Sequence, residues 1–187
     1  MSEPATKLMT VDEYLAWGEG REGRFELRDG AVVSMSPERL AHLETKGSVF
    51  LALSGAIRQA NLPCHVLPDG ATVRISDRTA FEPDALVRCG PRLSPSTLEF
   101  QDPVIVVEVL SPSTEAYDRG AKLEGYFSLR SVQHYLIVDA DRRKIVHHKR
   151  GAGDVIETRI LAAGPLRLDP PGFDLTVEDL LPPLRLT

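Results

Sequence analysis

Residues 104–110 read VIVVEVL, and this stretch decides the fold. A continuous run of Val, Ile and Leu is typical of a strand that other layers cover on both faces. Glu108 interrupts the run, and an ionised carboxylate in such a strand costs several kcal/mol unless a partner compensates it. Glu108 therefore lies where the strand leaves the core, meets an arginine, or serves a function.

A second acid, Asp84, follows Pro83 at the start of another β-rich stretch, residues 83–88. Pro and Asp are both common in turns, so Asp84 also fits a turn residue without chemistry. If the two strands are neighbours, however, Asp84 and Glu108 converge. Two close carboxylates are favourable chiefly when a divalent cation lies between them, and Mg²⁺ suits such oxygen ligands.

The third candidate is Lys122, on a helix that we expect over roughly residues 117–129. Asp118 precedes it by four residues, and that spacing and order also describe an ordinary stabilising pair on a helix surface. Position makes the pair informative, because the helix follows the Glu108 strand directly. A lysine in its first turns could reach a water bound to a metal at the end of that strand.

Local signals predict the remaining elements and place them around a central sheet. Before the central strand we expect a helix over 11–17 capped by Thr10, and a hairpin at Asp29-Gly30. A long amphipathic helix over 38–60 and a second hairpin at 68–70 should follow. The apolar stripe of the long helix includes Leu40, Leu43, Phe50 and Ile57. After it we expect a helix cap within SPST at 111–114, strands over 134–139, 144–149 and 155–161, a loop over 165–172, and a short helix after Thr176.

Composition limits the class of protein. The chain has 187 residues with a formal net charge of -5, which fits one acidic globular domain with a sizeable core. Residues 1–10 contain no apolar core of a secretory signal, and no apolar run is long enough to span a bilayer. Cys64 and Cys89 are too few for a disulfide framework, so we expect a reduced, cytoplasmic protein with no membrane partner.

The order of these motifs resembles the Uma-two family of restriction endonuclease-like proteins, a branch of the PD-(D/E)XK nuclease superfamily. The resemblance runs from residue 9 to about residue 139, and the ordered set is more specific than any one motif. The matching residues are MTVDEY at 9–14, FEL at 25–27, DG at 29–30, MSP at 35–37, His42, Pro83-Asp84, VEVLSPST at 107–114, Asp118, Lys122, Tyr126, Tyr135 and IVD at 137–139.

The resemblance implies an α/β (mixed α+β) restriction endonuclease-like fold, in which helices flank a central mixed β-sheet and residues 1–187 form one domain. It also implies Mg²⁺- or Mn²⁺-dependent hydrolysis of DNA phosphodiester bonds. Asp84, Glu108 and the backbone carbonyl of Val109 would hold the ion, while Lys122 would orient the attacking water and stabilise charge on the phosphate. His42 is a candidate accessory group near the phosphate. A homodimer is expected because cutting two antiparallel strands suits two sites related by a two-fold axis.

The chain departs from the pattern at two places. The superfamily usually has a lysine two residues after the glutamate, where this chain has Leu110; the family resembled moves that lysine to the next helix, which assigns the role to Lys122. Around Tyr135 the family tends to read PEYW, whereas residues 133–136 here are QHYL. Glu26 and Glu44 could also complete the site, or could be surface acids.

The surface needed for nucleic acid leaves alternatives open. An acidic total argues against a general polyanion binder, because affinity for phosphates comes mostly from Lys and Arg. The candidate DNA contacts are Arg119, Arg142, Arg143 and Lys144, which fit a solvated charged hairpin equally well. The competing functions are a catalytically silent nucleic-acid-binding or regulatory module and a hydrolase of small phosphodiesters. The latter lacks a GxxxxGK[ST] phosphate loop.

Overall fold

The computed structural model describes residues 8–111 and 115–182. The helices are α1 (Val11–Gly18), α2 (Leu40–Gln59), α3 (Glu115–Arg119), α4 (Ala121–Ser128) and a final 3-10 turn (Glu178–Leu180). The strands are β1 (Phe25–Arg28), β2 (Ala31–Ser34), β3 (Cys64–Pro68), β4 (Thr72–Ser76), β5 (Thr79–Phe81), β6 (Ala85–Cys89), β7 (Glu99–Phe100), β8 (Ile105–Val109), β9 (His134–Asp139), β10 (Lys144–Arg150), β11 (Ile156–Leu161), β12 (Pro165–Leu168) and β13 (Phe173–Thr176).

A six-stranded sheet in the order β11-β10-β9-β8-β6-β3 forms the centre of the structure. Within it, β8 and β9 run parallel, while the other neighbouring strands are antiparallel. A five-stranded sheet has the order β2-β1-β5-β4-β7, and β12 pairs with β13. The central sheet is therefore mixed, as the sequence predicts.

The central strand β8 is covered on both faces. Ile105 and Val107 pack into a core that contains residues of α2, β12 and β13, whereas Val106 packs into a second core with residues of α4, β4 and β5. All five residues of β8 are buried. The prediction from its β-branched run is confirmed, and Glu108 is enclosed with the apolar residues.

Near the N-terminus the local signals are confirmed. The Thr10 side chain accepts a hydrogen bond from the Glu13 N–H, and the Glu13 carboxylate accepts one from the Thr10 N–H, which caps α1 at both groups. Asp29 and Gly30 both have positive φ, at 50° and 86°, in the two-residue turn that joins β1 to β2. Positive φ at both positions is what a tight primed hairpin turn requires.

The second predicted hairpin, at residues 68–70, is wrong. Both strands exist, but β3 pairs with β6 in the central sheet and β4 pairs with β5 in the five-stranded sheet. The turn residues Pro68, Asp69 and Gly70 carry the chain from one sheet to the other. Local turn chemistry cannot distinguish the two outcomes, because the partner strands lie elsewhere in the sequence.

Three further predictions need correction. Helix α2 buries Val49 and Leu53, while Leu40 and Leu43 of the predicted stripe are exposed, because the buried face is set by contact with the central sheet. The predicted helix over 117–129 is two helices that meet at Gly120, a residue with low helix propensity. Part of the predicted loop over 165–172 is β12. The predicted cap within residues 112–114 lies outside the described residues.

The two cysteines are bonded to each other, contrary to the expectation of reduced thiols. Cys64 and Cys89 occupy opposed positions of β3 and β6, and their side chains form a disulfide. They are 25 residues apart in the chain, so only the pairing of the two strands brings them together. None of the helices in residues 8–111 and 115–182 has the length and apolar character needed to cross a membrane.

Candidate functional site

The strand register brings the first two candidate acids together. Strands β6 and β8 are antiparallel neighbours with Ala85 opposite Val107, so one further step places Asp84 opposite Glu108 at the carboxyl end of β8. Directly opposed residues of an antiparallel pair lie on the same face of a sheet. Strands β6 and β8 are therefore neighbours, which is the condition under which the sequence predicts that Asp84 and Glu108 converge.

Asp84 is 6% exposed and has polar contacts on both carboxylate oxygens. Its Oδ2 accepts a hydrogen bond from the Val109 N–H at 2.6 Å and lies 3.8 Å from Nε2 of His42, and its Oδ1 lies 2.9 Å from Nζ of Lys46. Burial alone would raise the pKa of Asp84, but His42, the Lys46 ammonium and the Val109 N–H together lower that pKa to about 2. Asp84 is therefore held as a carboxylate.

Glu108 is 3% exposed and shows the opposite behaviour. Its Oε1 accepts a hydrogen bond from the Tyr126 hydroxyl at 2.7 Å and lies 2.8 Å from Nζ of Lys122. Burial raises the pKa of Glu108 well above its usual range, against the pull of Lys122, and repulsion from Asp84, Asp118 and Glu26 raises it further. Any cation placed here would stabilise the ionised form.

Lys122 lies among three carboxylates. Its Nζ is 2.8 Å from Glu26 Oε1 and from Glu108 Oε1, and 3.5 Å from Asp118 Oδ1. Burial lowers the pKa of the lysine, but the three carboxylates outweigh burial and raise that pKa above its ordinary value. The ammonium is therefore charged and fixed between the acids.

Close packing of α4 on β5 positions this lysine. A Cβ atom added at Gly125 would lie 2.6 Å from the ring of Phe81, so α4 approaches the strand at a distance that glycine permits. The same ring lies 5.8 Å from the Lys122 ammonium, within the range of a cation–π interaction.

A second buried lysine completes the arrangement, and the sequence analysis missed it. Nζ of Lys46 lies 2.6 Å from Glu38 Oε1, 2.7 Å from Asp69 Oδ2 and 2.9 Å from Asp84 Oδ1. The available signal was its spacing from His42, since residues four apart on a helix share a face. Burial lowers the pKa of Lys46, and Asp84 and the other two acids raise it above the ordinary value.

Among the described residues, acids outnumber bases in the ion pairs around these side chains. The ion pairs form two groups. In one, Arg24 and Lys46 pair with Glu38, Asp69, Glu82 and Asp84. In the other, Arg28 and Lys122 pair with Glu26, Glu108 and Asp118. The excess of negative charge in a buried region fits a divalent cation.

Two overlapping sets of ligands could hold that cation. Glu38, His42 and Asp84 present ligand atoms within 4.8 Å of one another, and among the described residues this is the group of three that meets that distance. The Lys46 ammonium already contacts both acids of this set. The second set is the predicted one, Asp84 with Glu108.

The backbone at Val109 also faces the predicted set. Its N–H donates to Asp84, and an extended residue directs its N–H and C=O toward the same side of its strand. The Val109 carbonyl therefore points toward the Asp84 side of β8. The hydrogen bond of the next residue, from Leu110 N to Val138 O, goes to the opposite neighbour, β9.

Three of the four predicted DNA contacts share this end of the sheet. Strands β8 and β9 are parallel, so the turn after β9, which contains Arg142 and Arg143, lies at the same end as the carboxyl end of β8. Lys144 is exposed at the start of β10. Arg142 pairs with Asp139, and Arg143 donates to the Pro182 carbonyl at 3.1 Å. Arg119 is exposed on α3.

The two supplementary acids have different positions. Glu26 is 1% exposed and contacts Lys122, so it is part of the cluster and not a surface acid. It accepts hydrogen bonds from Arg28 and from the Glu82 N–H. Glu44 is exposed on α2.

The chain is similar to known proteins over most of its length. A family profile, Uma2, described as "Putative restriction endonuclease", matches residues 11–182. A Synechocystis sp. protein described as "Uncharacterized protein slr1290" is 33% identical over 187 residues, covering 95% of this chain and 93% of that protein. A second Synechocystis sp. protein, "Uncharacterized protein sll1609", is 25% identical over 149 residues, covering 78% of this chain and 82% of that protein.

A solved structure shares the fold. It is a crystal structure from Anabaena variabilis whose title describes "a putative nuclease belonging to DUF820". The TM-score is 0.70 at 16% sequence identity, and the likeness covers 92% of this chain and 97% of that one. The mixed α/β architecture with helices on a central mixed sheet is therefore of the restriction endonuclease-like type, as the resemblance implied.

Proposed function

The chain belongs to the Uma2 family, and we propose that it is a metal-dependent endonuclease that hydrolyses DNA phosphodiester bonds. The observation that carries the proposal is the contact of the buried Lys122 ammonium with Glu108, directly across the strand pair from Asp84. A purely structural strand has no need for a carboxylate at this position, because burial there is costly.

Asp84, Glu108 and the Val109 carbonyl would hold Mg²⁺ or Mn²⁺. A bound divalent ion supplies a nucleophile by lowering the pKa of its water, and polarises the phosphoryl oxygen. The residues fit this role because Asp84 is held ionised and the surrounding network has an excess of carboxylates. Tyr126 donates a hydrogen bond to Glu108 and thereby fixes the orientation of that carboxylate.

Lys122 is the proposed catalytic cation. Its charged ammonium, held by Glu26 and Asp118, would orient the attacking water and stabilise charge that develops on the phosphate. His42, next to Asp84, is the proposed accessory group near the scissile phosphate.

The substrate would approach from the end of the sheet that carries the basic turn. Arg142, Arg143 and Lys144 would contact DNA phosphates, with Arg119 as a more distant contact. Because the chain is acidic overall, we expect binding to be weak and sensitive to salt.

The test is DNA cleavage with and without metal. Wild-type protein should cleave plasmid or linear DNA with Mg²⁺ or Mn²⁺ and lose this activity in EDTA. Asp84→Asn, Glu108→Gln and Lys122→Met should each reduce the rate by about 10²–10³-fold, the usual effect of removing a group that stabilises the transition state. Glu124→Gln, on the exposed side of the same helix, is the matched control and should cleave like wild type.

Three results would contradict the proposal. Unchanged cleavage by the Glu108 variant would remove the metal assignment. Binding of DNA without cleavage under any metal condition would favour the binding module, and hydrolysis of small phosphodiesters without DNA affinity would favour the third class of function.

A further inference from the structure

The six-residue strand β11 is an open edge of the central sheet. It pairs with β10 on one side, and its other side pairs with no strand in residues 8–111 and 115–182. Proteins usually protect such edges with a proline, a bulge, an inward charge or a covering loop. Strand β11 has no proline, and its residues Ile156 and Ile160 are 38% and 69% exposed.

The backbone of this strand is oriented for a partner. Across the turn from β10 to β11, the Val155 carbonyl accepts a hydrogen bond from the Gly151 N–H at 2.9 Å, so Val155 directs its polar groups toward β10. Residues along an antiparallel strand alternate in this direction. Ile156, Thr158 and Ile160 therefore direct their N–H and C=O groups to the open edge.

The sequence of the edge is complementary to itself. Residues 156–160 read IETRI, which is symmetric in character about Thr158. When two copies of this strand run antiparallel with the two Thr158 residues opposed, each Glu157 faces an Arg159 of the other copy. In the same register each Ile156 faces an Ile160.

We propose that β11 is a homodimer interface, in which the open edges of two copies pair antiparallel about a two-fold axis at Thr158. The interface is isologous, as a two-fold dimer requires, because the same five residues serve both copies. The two central sheets then form one continuous sheet. This inference is independent of the endonuclease proposal.

The side chains agree with this register. Glu157 and Arg159 are exposed, and in residues 8–111 and 115–182 neither makes an ion pair within its own chain. In the proposed dimer each Glu157 lies opposite an Arg159 of the other copy, at a position where the two residues exchange no backbone hydrogen bonds. Side chains of opposed residues lie closest together at such positions. The opposite face places the exposed Ile156 and Ile160 against each other, which removes apolar surface from water.

Charge-reversal variants test the proposed two-fold register of β11. In a Glu157→Arg dimer each new arginine faces Arg159 of the other copy, so the dimer contains two arginine–arginine pairs. In an Arg159→Glu dimer each new glutamate faces Glu157, which gives two glutamate–glutamate pairs. Each single variant should weaken dimerisation by about tenfold or more, because two attractive pairs become repulsive. The double variant Glu157→Arg/Arg159→Glu restores opposite charges and should dimerise like wild type.

Mixing gives a sharper readout. The two single variants are complementary to each other, so an equimolar mixture should form a heterodimer although each alone is largely monomeric. Sedimentation equilibrium measures the dimer constants, and a different tag on each variant identifies the heterodimer. Arg92→Glu is the control and should not change dimerisation, because Arg92 lies in the loop after β6, and three strands separate β6 from β11.

A backbone variant separates pairing from charge. Thr158→Pro removes an N–H that faces the open edge and not β10, so the fold is retained while the dimer is lost. Thr158→Val keeps that N–H and should remain dimeric. A wild-type protein that is monomeric at high concentration, or a dimer that none of these changes weakens, would overturn the proposal.

Discussion

The two buried lysines are surrounded alike and exposed differently. Each ammonium contacts three carboxylates; the Lys46 cluster includes Asp84, which directly precedes β6, and the Lys122 cluster includes Glu108 of β8. The Lys122 side chain is 2% exposed and its partners Glu26, Glu108 and Asp118 are at most 4% exposed. The Lys46 side chain is 8% exposed, but Asp69 beside it is 36% exposed.

This difference in exposure indicates different roles for the two lysines. In the Lys122 cluster all of the partners are buried, so each charge depends on the others. In the Lys46 cluster solvent reaches part of the group, and the lysine there can yield to another cation at lower cost. We infer that Lys122 fixes the geometry of the site, whereas Lys46 keeps Asp84 ionised.

The largest expected effect is the difference in stability between variants that lack the Lys122 ammonium and variants that lack the Lys46 ammonium. Lys122→Met leaves the buried Glu108 without its cation and removes one cation contact each from Glu26 and Asp118, so it should lower the free energy of unfolding by about 3–5 kcal/mol. Lys46→Met should cost less, about 1–2 kcal/mol, because Asp69 can be solvated. Urea denaturation of both variants measures the difference. Equal losses would show that exposure does not distinguish the clusters.

The pH dependence of stability should differ in sign between the two acids. The pKa of Asp84 falls from 3.8 to about 2 on folding, so its contribution is present above pH 3.8 and is lost as the pH falls toward 2; it amounts to about 2 kcal/mol. The pKa of Glu108 is raised on folding, so its contribution is present at low pH and is lost as the pH rises through the raised value.

Isosteric variants resolve the two contributions. Asp84→Asn should flatten the loss of stability between about pH 4 and pH 2, and Glu108→Gln should remove a loss at higher pH. Denaturation at a series of pH values measures both slopes. If the two variants change the same limb of the pH profile, the opposite environments assigned to these acids are wrong.

The smallest effect is expected at His42. Its ring lies 3.8 Å from Asp84, beyond hydrogen-bonding distance, while Lys46 and the Val109 N–H hold the same carboxylate more closely. His42→Ala should therefore reduce cleavage by about tenfold or less, within the range for an assisting group. Single-turnover kinetics measures this change. A loss as large as that of Lys122→Met would make His42 a principal catalytic group.

The sequence predicted the part of the site that lies on β8 and on the helix that follows it. The apolar run around Glu108 predicted β8, which is confirmed. The strands that follow Asp84 and contain Glu108 are neighbours, and Lys122 lies on a helix that follows β8 in the chain and contacts Glu108. That Asp84, Glu108 and Lys122 meet around one ion stays a prediction.

The rest depends on contacts between distant segments. Glu26 comes from β1, Asp69 from the turn between two sheets, and Lys46 from α2, and no local pattern signals that these side chains meet. Likewise, β3 pairs with β6 and not with β4, although residues 68–70 have the composition of a hairpin turn. That residues 1–187 form one domain, and that Asp84, Glu108 and Lys122 carry catalysis, stay predictions.

The most direct measurement is the anomalous signal of Mn²⁺ in crystals of the wild-type protein. We expect an ion bound by carboxylate oxygens of both Asp84 and Glu108, with the Lys122 ammonium beside it. An ion held by Glu38, His42 and Asp84 without Glu108, or no ion at saturating Mn²⁺, would contradict the proposed metal site.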